Sequence, residues 1–124
     1  MFDSSGGFIL PNGAIRSPDV SWVKKARLAS LTHEQKQRFL PLCPDFVIEL
    51  RSPSDSIKAL QDKMQEYIEN GVGLGWLIDS ETRRVFVYQP QKEITLLEQP
   101  EFLSEDAVLA GFKLDMQKIW NVEF

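Results

Sequence analysis

The chain has 124 residues, the length of one domain, and is read as a single domain over residues 1–124. Hydrophobic residues make up 43%, enough for a packed core, which excludes a disordered chain. A net charge of −4 excludes nucleic-acid binding through bulk positive charge alone, though not an enzyme that gathers acids at a metal and bases on one rim.

The opening residues, MFDSSGGFIL, carry neither the basic region nor the long apolar run of a signal peptide. No later stretch approaches the roughly 18 apolar residues of a membrane span, so a soluble cytoplasmic protein is expected. Asn12-Gly13 is a hairpin signal and predicts antiparallel strands over Phe8–Leu10 and Ile15–Val23, with Asp19 inside the second. Thr32 is placed to cap a short helix over His33–Leu40 that Pro41 ends. His33 is the only histidine and sits in a polar stretch. That excludes a multi-histidine metal site and argues against a Ser-His-Asp mechanism. Cys43 is the only cysteine, so no internal disulfide forms, and it reads as a small apolar filler.

Pro44–Arg51 reads as a buried strand around Phe46-Val47-Ile48. Ser52-Pro53-Ser54-Asp55 then has the form of a helix opening, with a Ser cap, Pro at the first helical position and Asp in the first turn. The helix is expected to run to about Asn70 and to stop at Gly71 in a left-handed conformation. Ile57, Leu60, Met64, Tyr67 and Ile68 form its apolar stripe. Lys63 lies on the flank of that stripe, while Lys58, Asp62, Glu66 and Glu69 point toward solvent. LGWLID is the next strand, RRVFVYQ pairs with it antiparallel, EITLLE is a further strand and LDMQKIW a short closing helix. A strand-helix-strand unit lays its two strands parallel, so the expected architecture is α/β, a mixed sheet with the long helix on one face and flanking antiparallel hairpins.

The acids near strands are Asp19, Asp45, Glu49 and Asp79. Asp79 reads as a turn residue and Asp45 as a cap at a strand start. Glu49 ends the most apolar strand, where an unpartnered carboxylate costs on the order of several kcal/mol. Two readings stay open. Glu49 pairs with Arg51, since residues i and i+2 share a sheet face. Alternatively, Asp19 and Glu49 share a hard divalent cation, with Arg51 beside them to meet a phosphate, because Mg2+ takes one or two carboxylates plus substrate oxygens and waters. Lys63 is either a snorkelling lysine at a helix edge or a cation that reaches the carboxylate end of the sheet.

The blocks SPDVSWV, PDFVIELRSPSD, DKMQEYIENGVGLGWLID and RRVFVYQP, in this order, resemble the Uma family of small bacterial proteins, abundant in cyanobacteria and regarded as restriction endonucleases. The resemblance runs from about Gly7 to Trp120. It implies a restriction-endonuclease-like fold, of the nuclease superfamily named for Pro-Asp, a second acid, any residue and a lysine. It also implies roles. Pro18-Asp19 is the Pro-Asp pair, with Asp19 a ligand of Mg2+ or Mn2+. Glu49 is the second acid, and Leu50 offers its backbone carbonyl to the metal. Arg51 stands where the superfamily expects lysine, and Lys63 is a relocated lysine serving that role. Asp45, after Pro44, is a decoy of the Pro-Asp motif.

The implied activity is metal-dependent hydrolysis of DNA phosphodiester bonds, with Asp19, Glu49, Arg51 and Lys63 as the catalytic set. No membrane partner is expected, and a homodimer is the common arrangement of nucleases that cut both strands. Two alternatives stand beside it: an inactive remnant or interaction module that keeps the fold, and a nucleic-acid-binding protein without cleavage, which the net charge disfavours. Lys24, Lys25, Arg27, Arg51, Lys58 and Lys63 would form a basic rim, or the first three a solvated loop. Arg51 in place of lysine is one departure from the family. The other is an N-terminal segment of several tens of residues, including a sheet-packing helix, that members usually carry before the GGF strand.

Overall fold

The computed structural model describes residues 7–32, 39–104 and 113–120. The chain opens with a hairpin of β1 (Phe8–Ile9) and β2 (Ile15–Arg16), paired antiparallel with Phe8 opposite Arg16. Gly13 turns it at φ 87°, and its N–H donates to the Leu10 carbonyl at 2.8 Å. The single strand expected over Ile15–Val23 is instead two strands in two sheets. Pro18 has no N–H to continue the β2 ladder, so the chain leaves the hairpin and re-enters extended pairing as β3 (Val20–Trp22). Asp19 therefore lies in the link just ahead of β3, not within a strand.

After α1 (Lys25–Ala29) the expected helix over His33–Leu40 falls mainly on residues 33–38, outside those described; Leu40, at its end, bridges Phe8. β4 (Phe46–Arg51) pairs antiparallel with β3, Val20 opposite Ile48, and parallel with β5 (Leu74–Asp79), from Phe46–Leu74 through Arg51–Asp79. β6 (Arg84–Tyr88) and β7 (Thr95–Glu98) follow antiparallel, giving the mixed order β3-β4-β5-β6-β7. β8 (Phe102–Ser104), β9 (Lys113–Asp115) and α3 (Met116–Trp120) close the described chain.

The crossover helix α2 (Ile57–Glu69) starts later than its sequence suggested, and its cap is Ser56, whose hydroxyl accepts from the Ala59 N–H. Ser52-Pro53-Ser54-Asp55 is a separate turn. The Asp55 carboxylate takes both the N–H and the hydroxyl of Ser52, and the Asp55 N–H returns to the Ser52 carbonyl. These local bonds compete with helix and win. Gly71 ends α2 at φ 116°, as expected.

Strand alternation splits the core in two. Val47, Leu77 and Tyr88 face α2 and meet Leu60, Met64 and Tyr67. Phe46, Ile48, Leu74, Trp76 and Ile78 face the other way, against Leu103, Met116 and Trp120, with Phe46 and Trp76 edge to face at 4.7 Å. Cys43 is the buried filler its sequence suggested, and burial pushes its thiol up to about 11. By the same alternation Glu49 and Arg51 project from β4 toward the α2 face. No helix among the described residues is long and apolar enough to cross a membrane.

Candidate active site

β3 begins to pair at Val20, opposite Ile48, so the last three residues of β4 extend past it. Asp19 occupies that gap. Its Oδ2 accepts the Leu50 N–H at 2.7 Å, taking the place of a strand partner. In an extended strand the N–H and C=O of one residue face the same edge, so the Leu50 carbonyl also opens toward Asp19. Asp19, Glu49 and Leu50, separated by some thirty positions in the chain, thus meet at one corner of the sheet.

Glu49 is 3% exposed. The Tyr67 hydroxyl donates to its Oε1 at 3.0 Å, and Lys63 Nζ stands 3.6 Å from the same oxygen. Burial pushes the Glu49 carboxyl up to about 7 despite the opposing Lys63 charge, and the nearby Asp19 charge pushes the same way as burial. Lys63 thus offsets only part of the cost of burying this carboxylate. Burial, reinforced by the Glu49 charge, holds the Tyr67 hydroxyl far above its ordinary value, so it stays a donor.

Arg51 is directed elsewhere. Its guanidinium reaches Asp79 at 3.1 Å and Glu81 at 3.0 Å, and its Nε donates to the Asp55 carbonyl. The Glu49–Arg51 pair of the simpler reading is not formed, because the parallel register sets Asp79 directly opposite Arg51 on the neighbouring strand. Asp79 is accordingly more than the turn residue expected. It accepts the Glu81 N–H, as a turn residue does, but is 3% exposed and ion-paired.

Asp45 is at the other end of β4. It accepts the Lys24 N–H at 2.8 Å and pairs with Arg27 at 2.9 Å, a structural role that leaves it out of the corner. This also dissolves the expected basic rim. Lys24 and Arg27 meet Asp45, Lys58 pairs with Asp62 on the outer side of α2, and among the described residues Lys63 is the one ion-paired with Glu49.

A recess of about 440 Å³ between the first hairpin and α2 is lined by Arg16, Leu60, Lys63 and Glu66, with Arg16 and Glu66 paired at 2.7 Å. Lys63 belongs to both recess and corner. Sequence reading missed Tyr67 as a polar partner, filing it with the apolar stripe. The available signal was chemical: a buried tyrosine needs a partner for its hydroxyl, and Tyr67 lies four residues after Lys63 on the same flank. Among the described residues no group of three or more His, Cys, Asp or Glu side chains comes together. Asp19, Glu49 and the Leu50 carbonyl would offer only hard oxygen donors, the kind that Mg2+ or Mn2+ takes.

A family model described as "Uma2: Putative restriction endonuclease" matches residues 1–117. Among solved structures, a similar chain is the crystal structure of a "putative nuclease belonging to DUF820" from Anabaena variabilis, with a TM-score of 0.74 and 25% identity. The match covers 87% of this chain and 61% of that one, so this chain spans less than two thirds of that protein's length. No curated protein matches it.

Proposed function

Because the chain belongs to the Uma2 family of restriction-endonuclease-like proteins, we propose that it hydrolyses DNA phosphodiester bonds with a divalent cation held by Asp19, Glu49 and the Leu50 carbonyl. The observation that carries this reading is the buried Glu49 carboxylate, under-compensated by Lys63 and set beside a second acid. Such a pair is costly unless a further positive charge joins it. Asp19 is held through Oδ2 and Glu49 through Oε1, an arrangement that would turn the other oxygen of each acid to the cation.

A bound Mg2+ or Mn2+ supplies Lewis acidity to the phosphodiester and to an attacking water. This chain's own residues do the rest. Lys63, half-buried between recess and corner, offsets negative charge that grows on the phosphate. Its compact ammonium can also orient the water, while the guanidinium of Arg51 is committed to Asp79 and Glu81. Arg51 fixes the turn after β5 through Asp79 and Glu81 and so holds the end of β4 in place. Cutting both DNA strands calls for two such corners, which a homodimer in the cytoplasm supplies.

The test is cleavage of supercoiled plasmid. The wild type should nick it in Mg2+ and stop on chelation, while Glu49→Ala and Lys63→Ala should each lose about 100-fold. Equal cleavage by all three proteins, or none by the wild type, would overturn the assignment.

A further inference from the structure

We propose that Tyr67 is a positioning residue for the cation: together with Lys63 it holds Glu49 Oε1, so that Glu49 meets the cation through Oε2 alone. The inference rests on the cation reading above and deepens it.

The geometry is specific. Tyr67 is fully buried, and its ring fills the core between α2 and the sheet, a task phenylalanine would perform equally well. The hydroxyl adds one thing, the 3.0 Å bond to Glu49 Oε1. Lys63, one helical turn earlier, brings its ammonium to 3.6 Å from that same oxygen. The Tyr67 hydrogen bond and the Lys63 ion pair both fall on Oε1. One hydrogen bond and a nearby ammonium at the same oxygen fix the carboxylate's orientation and leave the other oxygen to bind. Asp19 repeats the arrangement, its Oδ2 fixed by the Leu50 N–H. The corner thus offers single carboxylate oxygens rather than chelating pairs.

That difference selects between cations. Mg2+ and Mn2+ suit a compact octahedral shell with carboxylates bound through one oxygen, whereas Ca2+ accepts bidentate carboxylates and a larger, looser shell. Removing the Tyr67 hydroxyl frees Oε1 to join Oε2, which weakens the first preference and admits the second.

Titration calorimetry on the wild type, Tyr67→Phe and Asp19→Asn, with Mn2+ and separately Ca2+, tests this. Tyr67→Phe should lose about tenfold in Mn2+ affinity while keeping or gaining Ca2+ affinity, the scale typical of groups that orient metal ligands. Mn2+ binding by the wild type that Asp19→Asn abolishes, with Tyr67→Phe unchanged toward both ions, would overturn the role of Tyr67 and leave the cation site standing. No Mn2+ binding by the wild type would overturn both. A second measurement needs no variant: infrared difference spectra of wild-type protein carrying 13C-carboxyl glutamate, with and without Mn2+. A widened splitting of the carboxylate stretches marks one-oxygen binding and supports the inference; a narrowed, bidentate splitting contradicts it.

Discussion

Arg51 and Asp79 face each other across the parallel β4–β5 ladder and join at 3.1 Å, at the end of the sheet where the two acids meet. By the family resemblance Arg51 stands where a lysine is expected, yet its guanidinium serves the turn after β5. Removing it strands a carboxylate that is 3% exposed. Arg51→Ala should therefore cost about 2–4 kcal/mol in urea unfolding, whereas Glu81→Gln, at an exposed partner, should cost less than about 1 kcal/mol. Arg51→Lys should keep most of the cleavage activity, because the group near the acids is Lys63.

The pH dependence of stability follows from Glu49. Its carboxyl rises from 4.5 to about 7 on folding, so the folded protein binds a proton that the unfolded chain has released in that window. The favourable contribution is complete below pH 4.5 and is lost as pH rises through about 7. Glu49→Gln cannot ionise and escapes the loss. Chemical denaturation should find the two proteins similar near pH 4, with the variant more stable at pH 8 by up to about 3 kcal/mol.

Cation binding should reverse that weakness in the wild type. At ten times its dissociation constant, Mg2+ should add about 1.4 kcal/mol and raise Tm by about 5 °C at pH 8, read by differential scanning calorimetry. Asp19→Asn should melt at the same temperature with and without Mg2+.

The approach of α2 to the sheet depends on Gly75. A Cβ there would lie 2.6 Å from the Met64 Cε and 3.4 Å from Val47 Cγ2. The methionine end is flexible and can move, so Gly75→Ala should cost about 1–2 kcal/mol in urea unfolding rather than block folding. Pairing it with Met64→Leu should alter that cost, since the two sites touch.

Much of the fold was legible because periodicity and punctuation agreed. Asn12-Gly13 turned the first hairpin, the apolar stripe of α2 faced the core, and Gly71 stopped the helix. The errors have local causes. Pro18 split one expected strand into two, and the Asp55 side chain drew Ser52 into a turn before the true cap at Ser56. At the site, the resemblance named Asp19, Glu49, Leu50, Arg51 and Lys63; the folded chain brings Asp19 to the Leu50 N–H and Lys63 to Glu49, and turns Arg51 to Asp79 and Glu81. Register was beyond reach. Only the pairing of β4 with β5 puts Asp79 opposite Arg51, and no spacing within either strand reveals it. Tyr67 was hidden for a different reason, since a tyrosine in an apolar stripe shows its volume in a sequence and not the direction of its hydroxyl.

The account stands most directly on where a divalent cation binds. A crystal of the protein soaked in Mn2+ and measured at the manganese absorption edge gives that position without reference to activity. The account predicts one anomalous peak at the end of β4, within about 2.3 Å of an oxygen from each of Asp19, Glu49 and the Leu50 carbonyl. A peak at Asp79 and Glu81 instead, or none at the Asp19–Glu49 corner, would contradict it.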